Sequence, residues 1–187
     1  MLAGKMLFAV LFGVAIAILT GCHPAGYYTY RAPNSAELDQ FIAQNAIQPL
    51  AVATRDDFAV ILFENGMKTG HYLLYVGEDG RLYKEFAITT GPHLEDVLVS
   101  SSGQHPTWTT TPFVTVIFMD DQVLNEAAQI VAYFGKPRLE EVILSPGTER
   151  GYIIMGETDA DNPDHTVSLL IYDAAGSVLY EYNSDES

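Results

Sequence analysis

The sequence predicts a mainly β fold: an antiparallel, sandwich-like two-sheet domain with one short amphipathic helix at its N-terminal side. Three observations carry that reading. Short apolar, aromatic and β-branched runs recur from residue 57 to the C-terminus, and turn residues separate them at close spacing. The long helical crossovers that a parallel sheet requires are missing. A fragment built like propeller blades is the alternative arrangement of the same runs.

The helix comes first. Asn34 followed by Glu37 has the form of a capping box, and Leu38, Phe41 and Ile42 fall on one side of a helical wheel. This spacing predicts a helix over 34–45, with Pro49 ending it. From residue 57, DFAVILFENGMKTGHYLLYVGEDGRLYKEFAI divides into three runs at Asn65-Gly66 and Asp79-Gly80, dipeptides suited to the positive φ of tight hairpins. An antiparallel meander follows, with strands near 58–64, 68–77 and 81–89. EDVLVSS and PFVTVIFM supply two further strands, and acids opening DDQVLNEA predict one or two helical turns over 121–127. QIVAYF, EEVILS, GYIIMGE, TVSLLIYD and SVLYEYN read as strands to the end.

Two of these segments match at an offset of 96. LLYVGEDGRLYKEF (73–86) lies over LLIYDAAGSVLYEY (169–182), aligning two leucines, Gly80 with Gly176 and Glu85 with Glu181. A true repeat would give two related meanders; a pattern common to amphipathic hairpins would give only two similar hairpins.

The N-terminus organises differently. Lys5 precedes an uncharged run from Met6 to Leu19, then Thr20-Gly21-Cys22, which holds the one cysteine of the chain. As a helix, the 14 residues of that run would span only ~21 Å, against ~30 Å for a bilayer hydrocarbon core, so a permanent span is disfavoured. Leu19-Thr20-Gly21-Cys22 resembles the lipobox of bacterial lipoprotein precursors. The resemblance implies cleavage before Cys22 and a diacylglyceryl group on its sulfur, hence a membrane-lipid partner and an extracytoplasmic, membrane-anchored location. The division expected is a leader over 1–21, a tether over 22–33 and a single β-rich domain over 34–187. Tyr27, Tyr28 and Tyr30 of the tether would either lie at headgroup level or pack back on the domain. With no second cysteine an intramolecular disulfide is impossible, and the fold rests on its core.

Charge narrows the partners. The full chain carries a formal −15, and loss of residues 1–21 with Lys5 leaves 8 basic against 24 acidic residues, a formal −16. Such a surface repels phosphate backbones, so nucleic acid is not expected as a partner.

Candidate chemistry lies in the loops. His105 and Trp108 occupy GQHPTWTTTP, a polar segment after Ser100, Ser101 and Ser102, and form the expected recognition edge, the alternative being Trp108 buried as a lid on one end of the core. The same histidine and serines are the centre that an envelope hydrolase would use, although no G-x-S-x-G elbow surrounds them. None of the histidines has zinc spacing; His93 and His105 would stand ~23 Å apart across an intervening seven-residue strand. GETDADNPDHT offers Asp159, Asp161, Asn162 and Asp164 as oxygen ligands for a calcium cofactor, yet without the glycine at the sixth position of an EF-type loop. A solvated acidic hairpin loop is the alternative. The expectation is a lipid-anchored binding or interaction protein of the cell envelope that works by binding a protein or cell-envelope ligand, with no catalysis of its own. An envelope hydrolase and a calcium-dependent binding module are the alternatives.

Overall fold

The computed structural model describes residues 30–91, 95–101, 111–135, 140–157 and 166–184. In chain order these hold α1 (Ser35–Gln44), β1 (Pro49–Thr54), β2 (Ala59–Asn65), β3 (Lys68–Val76), β4 (Leu82–Thr90), β5 (Val97–Ser101) and β6 (Phe113–Phe118). Then follow α2 (Asp121–Glu126), β7 (Ala127–Phe134), β8 (Glu140–Leu144), β9 (Gly151–Met155), β10 (Val167–Asp173) and β11 (Val178–Asn183). The mainly β, antiparallel, sandwich-like reading holds. Hydrogen bonding groups the strands into three sheets: β1-β2-β3-β4, β5-β6-β9 and β11-β10-β7-β8.

The third sheet arises because one short sheet is packed on both faces. Every residue of β6 is buried. Its Val114, Val116 and Phe118 join Ile130, Leu169 and Ile171 of the β11-β10-β7-β8 sheet in one core. Phe113, on the opposite face, packs with Phe58, Val60 and Leu73 of the first sheet. That first sheet uses its far side too: Ile61, Phe63 and Leu74 lie under Phe41 of α1 and Ile47. The layer order is therefore helix, sheet, inner sheet, sheet. A large apolar side chain removed from water contributes ~1.5–3 kcal/mol, so these three cores supply the driving force of the fold.

Local chemistry fixes the ends of α1. Asn34 Oδ1 accepts from the Glu37 N–H at 3.0 Å while the Glu37 carboxylate accepts from the Asn34 N–H at 2.8 Å, completing the capping box. The helix stops at Gln44, before Pro49 can act. The Ile47 N–H bonds to the Ile42 carbonyl and the Ala46 N–H to the Ala43 carbonyl, with Ala46 at φ 49°. This is a Schellman closure, with alanine where glycine is usual and with Ile42 and Ile47 in hydrophobic contact. Pro49 instead opens β1, a strand that sequence patterning missed because PLAVAT lacks flanking turn dipeptides.

The hairpins follow their turn residues with one slip. Asn65 pairs with Lys68, so the two-residue loop is Gly66-Met67 and not Asn65-Gly66. Gly66 at φ 62° takes the first central position, the requirement of a type II′ turn. The β3–β4 turn is longer: the Gly77 N–H bonds to the Arg81 carbonyl and the Gly80 N–H to the Gly77 carbonyl. At the offset of 96, the Asp173 N–H bonds to the Ser177 carbonyl and the Gly176 N–H to the Asp173 carbonyl. The two hairpins share this closure. Their sheets do not repeat, because β3 pairs with the preceding β2 whereas β10 pairs back to β7.

Residues 31 and 32, within the span expected to be a tether, are fastened to the domain. Arg31 and Val76 exchange backbone bonds at 3.1 and 2.9 Å, and the Ala32 N–H bonds to the Asp56 carbonyl at 3.0 Å. Arg31 thus takes up a position beside β3 just past Leu74, the partner of Ala59 where the β2 ladder ends. Its guanidinium grips both Glu37 carboxylate oxygens at 2.8 Å. Of the tether tyrosines, Tyr30 packs on the domain, edge-on to Tyr75; Tyr27 and Tyr28 lie outside the described residues.

Two predictions follow from these ends. Ala46→Gly removes a side chain from the left-handed region and is expected to raise unfolding stability by about 0.5–1 kcal/mol in a urea titration. The Arg31 side-chain bonds, then the Asn34 N–H, hold the Glu37 carboxyl at about 2, down from 4.5. Its folded value lies below its unfolded one, so this contribution is whole above pH 4.5 and is lost as pH falls toward 2. Arg31→Met should therefore make the loss of stability across that window shallower, as measured by denaturation at each pH.

Candidate binding groove

Alternation along the strands decides which residues can meet between the first and inner sheets. In β3, Thr69, His71 and Leu73 face the inner sheet, and cross-strand pairing sets Thr89, Ala87 and Glu85 of β4 beside them. From the other side, Thr115 and Ile117 of β6 and their partners Ser100 and Leu98 of β5 face back. Between them lies a groove of about 460 Å³, within the size range of small-molecule sites.

The groove is amphipathic. Leu62, Ala87, Leu98 and Ile117 supply apolar walls, and Thr69, Thr89, Ser100 and Thr115 are its hydroxyl-bearing lining residues. Thr115 Oγ1 donates to the Ser100 carbonyl at 3.2 Å, which satisfies a buried donor. Gly70 forms part of the lining because nothing larger fits: a Cβ there would stand 2.1 Å from the Ala87 carbonyl oxygen, with φ at +155°. On the same face of β3, His71 is completely buried and meets Phe113 edge-on at 5.4 Å. Among the described lining residues Glu95 is the one carboxylate. Its charge also raises the Tyr180 phenol, which burial has already pushed up.

Ser100 and Ser101, read together in the sequence, part company here. Ser100 lines the groove, while Ser101 turns to the opposite face, 1% exposed, with its Oγ 3.4 Å from the Tyr182 hydroxyl. Adjacent strand residues point to opposite faces, so the two cannot serve one reacting centre. Ser102, His93, His105 and Trp108 lie outside the described residues; the segment holding His105 and Trp108 joins β5 to β6, whose Ser100 and Thr115 line the groove. Asp159, Asp161, Asn162 and Asp164, and Cys22, also lie outside them. No group of three or more metal-ligating side chains occurs among the described residues.

Sequence reasoning missed the threonines. Thr69, Thr89 and Thr115 are ordinary strand residues, and only cross-strand register brings them to one cavity. Comparison with protein-family models, with curated proteins and with solved structures gave no match for this chain.

Thr115→Val keeps the shape of the side chain and removes the bond to Ser100. The variant should fold with an unchanged far-ultraviolet spectrum and lose about 1 kcal/mol of stability.

Proposed function

We propose that this chain is a lipid-anchored extracytoplasmic binding protein of a bacterial cell envelope, held through Cys22, with the inter-sheet groove as its ligand site. The observation that carries the anchor is the placement of the one cysteine directly after Leu19-Thr20-Gly21, at the end of a charge-free run too short to span a bilayer. A lipid on Cys22 suits a surface of this charge, which anionic headgroups would repel. Among the described residues, no helix is long and apolar enough to cross a membrane.

Binding is the chemistry that the groove supports. Its hydroxyls and apolar walls can hold a ligand by hydrogen bonding and burial, and Ser101 faces away from Ser100. The ligand class is an uncharged or weakly polar group of the envelope, since Glu95 is the sole carboxylate among the described lining residues and no base lines the groove there.

Two measurements test the proposal in living cells. Labelled palmitate should enter the native chain and not Cys22→Ala; equal labelling, or none in either, rejects the anchor. A photo-crosslinking residue at Thr89 should give a discrete adduct that Ser100→Trp abolishes, whereas the same probe at the exposed Val178 should not. Equal adducts at both positions would reject the groove.

A further inference from the structure

The face of the β3–β4 hairpin that lines the groove carries a second cavity at its turn end, of about 410 Å³. Tyr75 and Tyr83 are cross-strand partners, and their rings stack at 5.5 Å with an interplanar angle of 12°. Tyr30 stands edge-on to Tyr75 at 4.9 Å and 76°, so the three rings make a corner of two nearly perpendicular aromatic walls. Gly77, Glu78 and Asp79 of the turn complete the lining.

The charges around this corner are fixed by its hydrogen bonds. Asp79 accepts from the Arg81 N–H at 3.0 Å and from the Tyr83 hydroxyl at 2.8 Å, and both bonds hold its carboxyl below the usual range. Burial, followed by Glu85, pushes the Tyr75 phenol up to about 12. The Asp79 bond raises Tyr83 as well. At neutral pH, then, the Tyr75 and Tyr83 rings are uncharged and Asp79 is ionised. No lysine or arginine lines the cleft among the described residues. Arg81 reaches Asp79 at 3.6 Å from outside, with its side chain 81% exposed.

We propose that this cleft binds a quaternary ammonium group, seated in the aromatic corner of Tyr30, Tyr75 and Tyr83, with Glu78 and Asp79 as its counter-charges. Ring faces attract a cation through their quadrupole, and a methylated ammonium is weakly hydrated, so it sheds water at small cost. A primary ammonium is a compact, strongly hydrated charge, so it loses more on leaving water for ring faces. Anions are repelled by both rim acids and by a chain of formal charge −15. The inference is independent of the groove and of the anchor.

The test titrates the full chain with choline while following the tyrosine ring signals by nuclear magnetic resonance. Choline should shift the signals of Tyr30, Tyr75 and Tyr83 with a millimolar dissociation constant, and its neutral carbon isostere should not. Tyr83→Leu and Asp79→Asn should each weaken binding about tenfold, whereas Tyr30→Phe, which keeps the ring, should stay within about twofold. Should Tyr83→Leu fail to fold, Asp79→Asn, an exposed turn substitution, carries the same test. Equal binding of the isostere, no shifts with choline, or unchanged affinity in Asp79→Asn would each overturn the proposal. Vesicles identify the source. Retention on phosphatidylcholine that free choline displaces marks a lipid headgroup, and choline binding without retention marks a small solute; both outcomes support the site.

Discussion

A strand that must bury both of its faces sets the architecture. β6 runs Phe-Val-Thr-Val-Ile-Phe without an exposed position. Because strand side chains alternate, burying all six requires a partner layer on each side, and a single sandwich interface provides only one. The chain meets the requirement with β10 and β7 on one side and β2 and β3 on the other. The one polar side chain in the run, Thr115, is tolerated because the neighbouring Ser100 carbonyl accepts its hydrogen bond. An apolar interior on both sides of a three-stranded sheet also explains how a chain without a disulfide can hold this many short strands together.

Both cavities are consequences of where that packing thins. Around Phe113 the first and inner sheets are filled by Phe58, Val60 and Leu73. Toward Thr69 and Thr89, Ser100 and Thr115 stand beside Leu98 and Ile117 on the inner sheet, Gly70 and Ala87 bring the backbones close, and the inter-sheet space opens into the groove. At the opposite end of the hairpin the strand pair extends past the β2 ladder, and Tyr30, Tyr75 and Tyr83 surround space that no inner-sheet side chain occupies. Thr69 and Tyr75 are separated by ~20 Å of extended strand, so the two cavities share one face and remain separate.

Local features of this fold were legible because local chemistry carries them. Asn34 and Glu37 announce a helix start whatever the rest does, and β2 to β11 announce themselves as apolar runs between turn residues. What depends on pairing was not legible. The Asn65-Gly66 dipeptide places a turn but not its register, which the ladder shifts by one residue to Gly66-Met67. The shared hairpin closure at Gly80 and Gly176 is visible as sequence similarity, yet the strands flanking those hairpins pair differently, and a bulge after Ile171 moves β11 off the register that β4 keeps. Site residues suffer most. Tyr75 and Tyr83 are eight positions apart, with nothing in composition to join them, and become neighbours only through the β3–β4 ladder. Ser100 and Ser101 show the converse, being adjacent in sequence and opposed in space.

The way the chain enters the domain bears on how the proposed anchor would present these cavities. From Arg31 onward the backbone is held by Val76 and Asp56, and the side chain of Arg31 is clamped by the residue that caps α1. Free tether therefore ends no later than Tyr30. For a chain lipidated at Cys22, the eight steps to Tyr30 reach at most about 28 Å when fully extended. Tyr30 is also one wall of the aromatic cleft, so the cleft would be carried within that distance of the bilayer surface, whatever the orientation of the rest. The groove, ~20 Å further along β3, has more freedom to face away. Pulling on such an anchor would load the Arg31–Val76 bridge and the Glu37 clamp before any core strand, and the core would be shielded by the contacts that are cheapest to break.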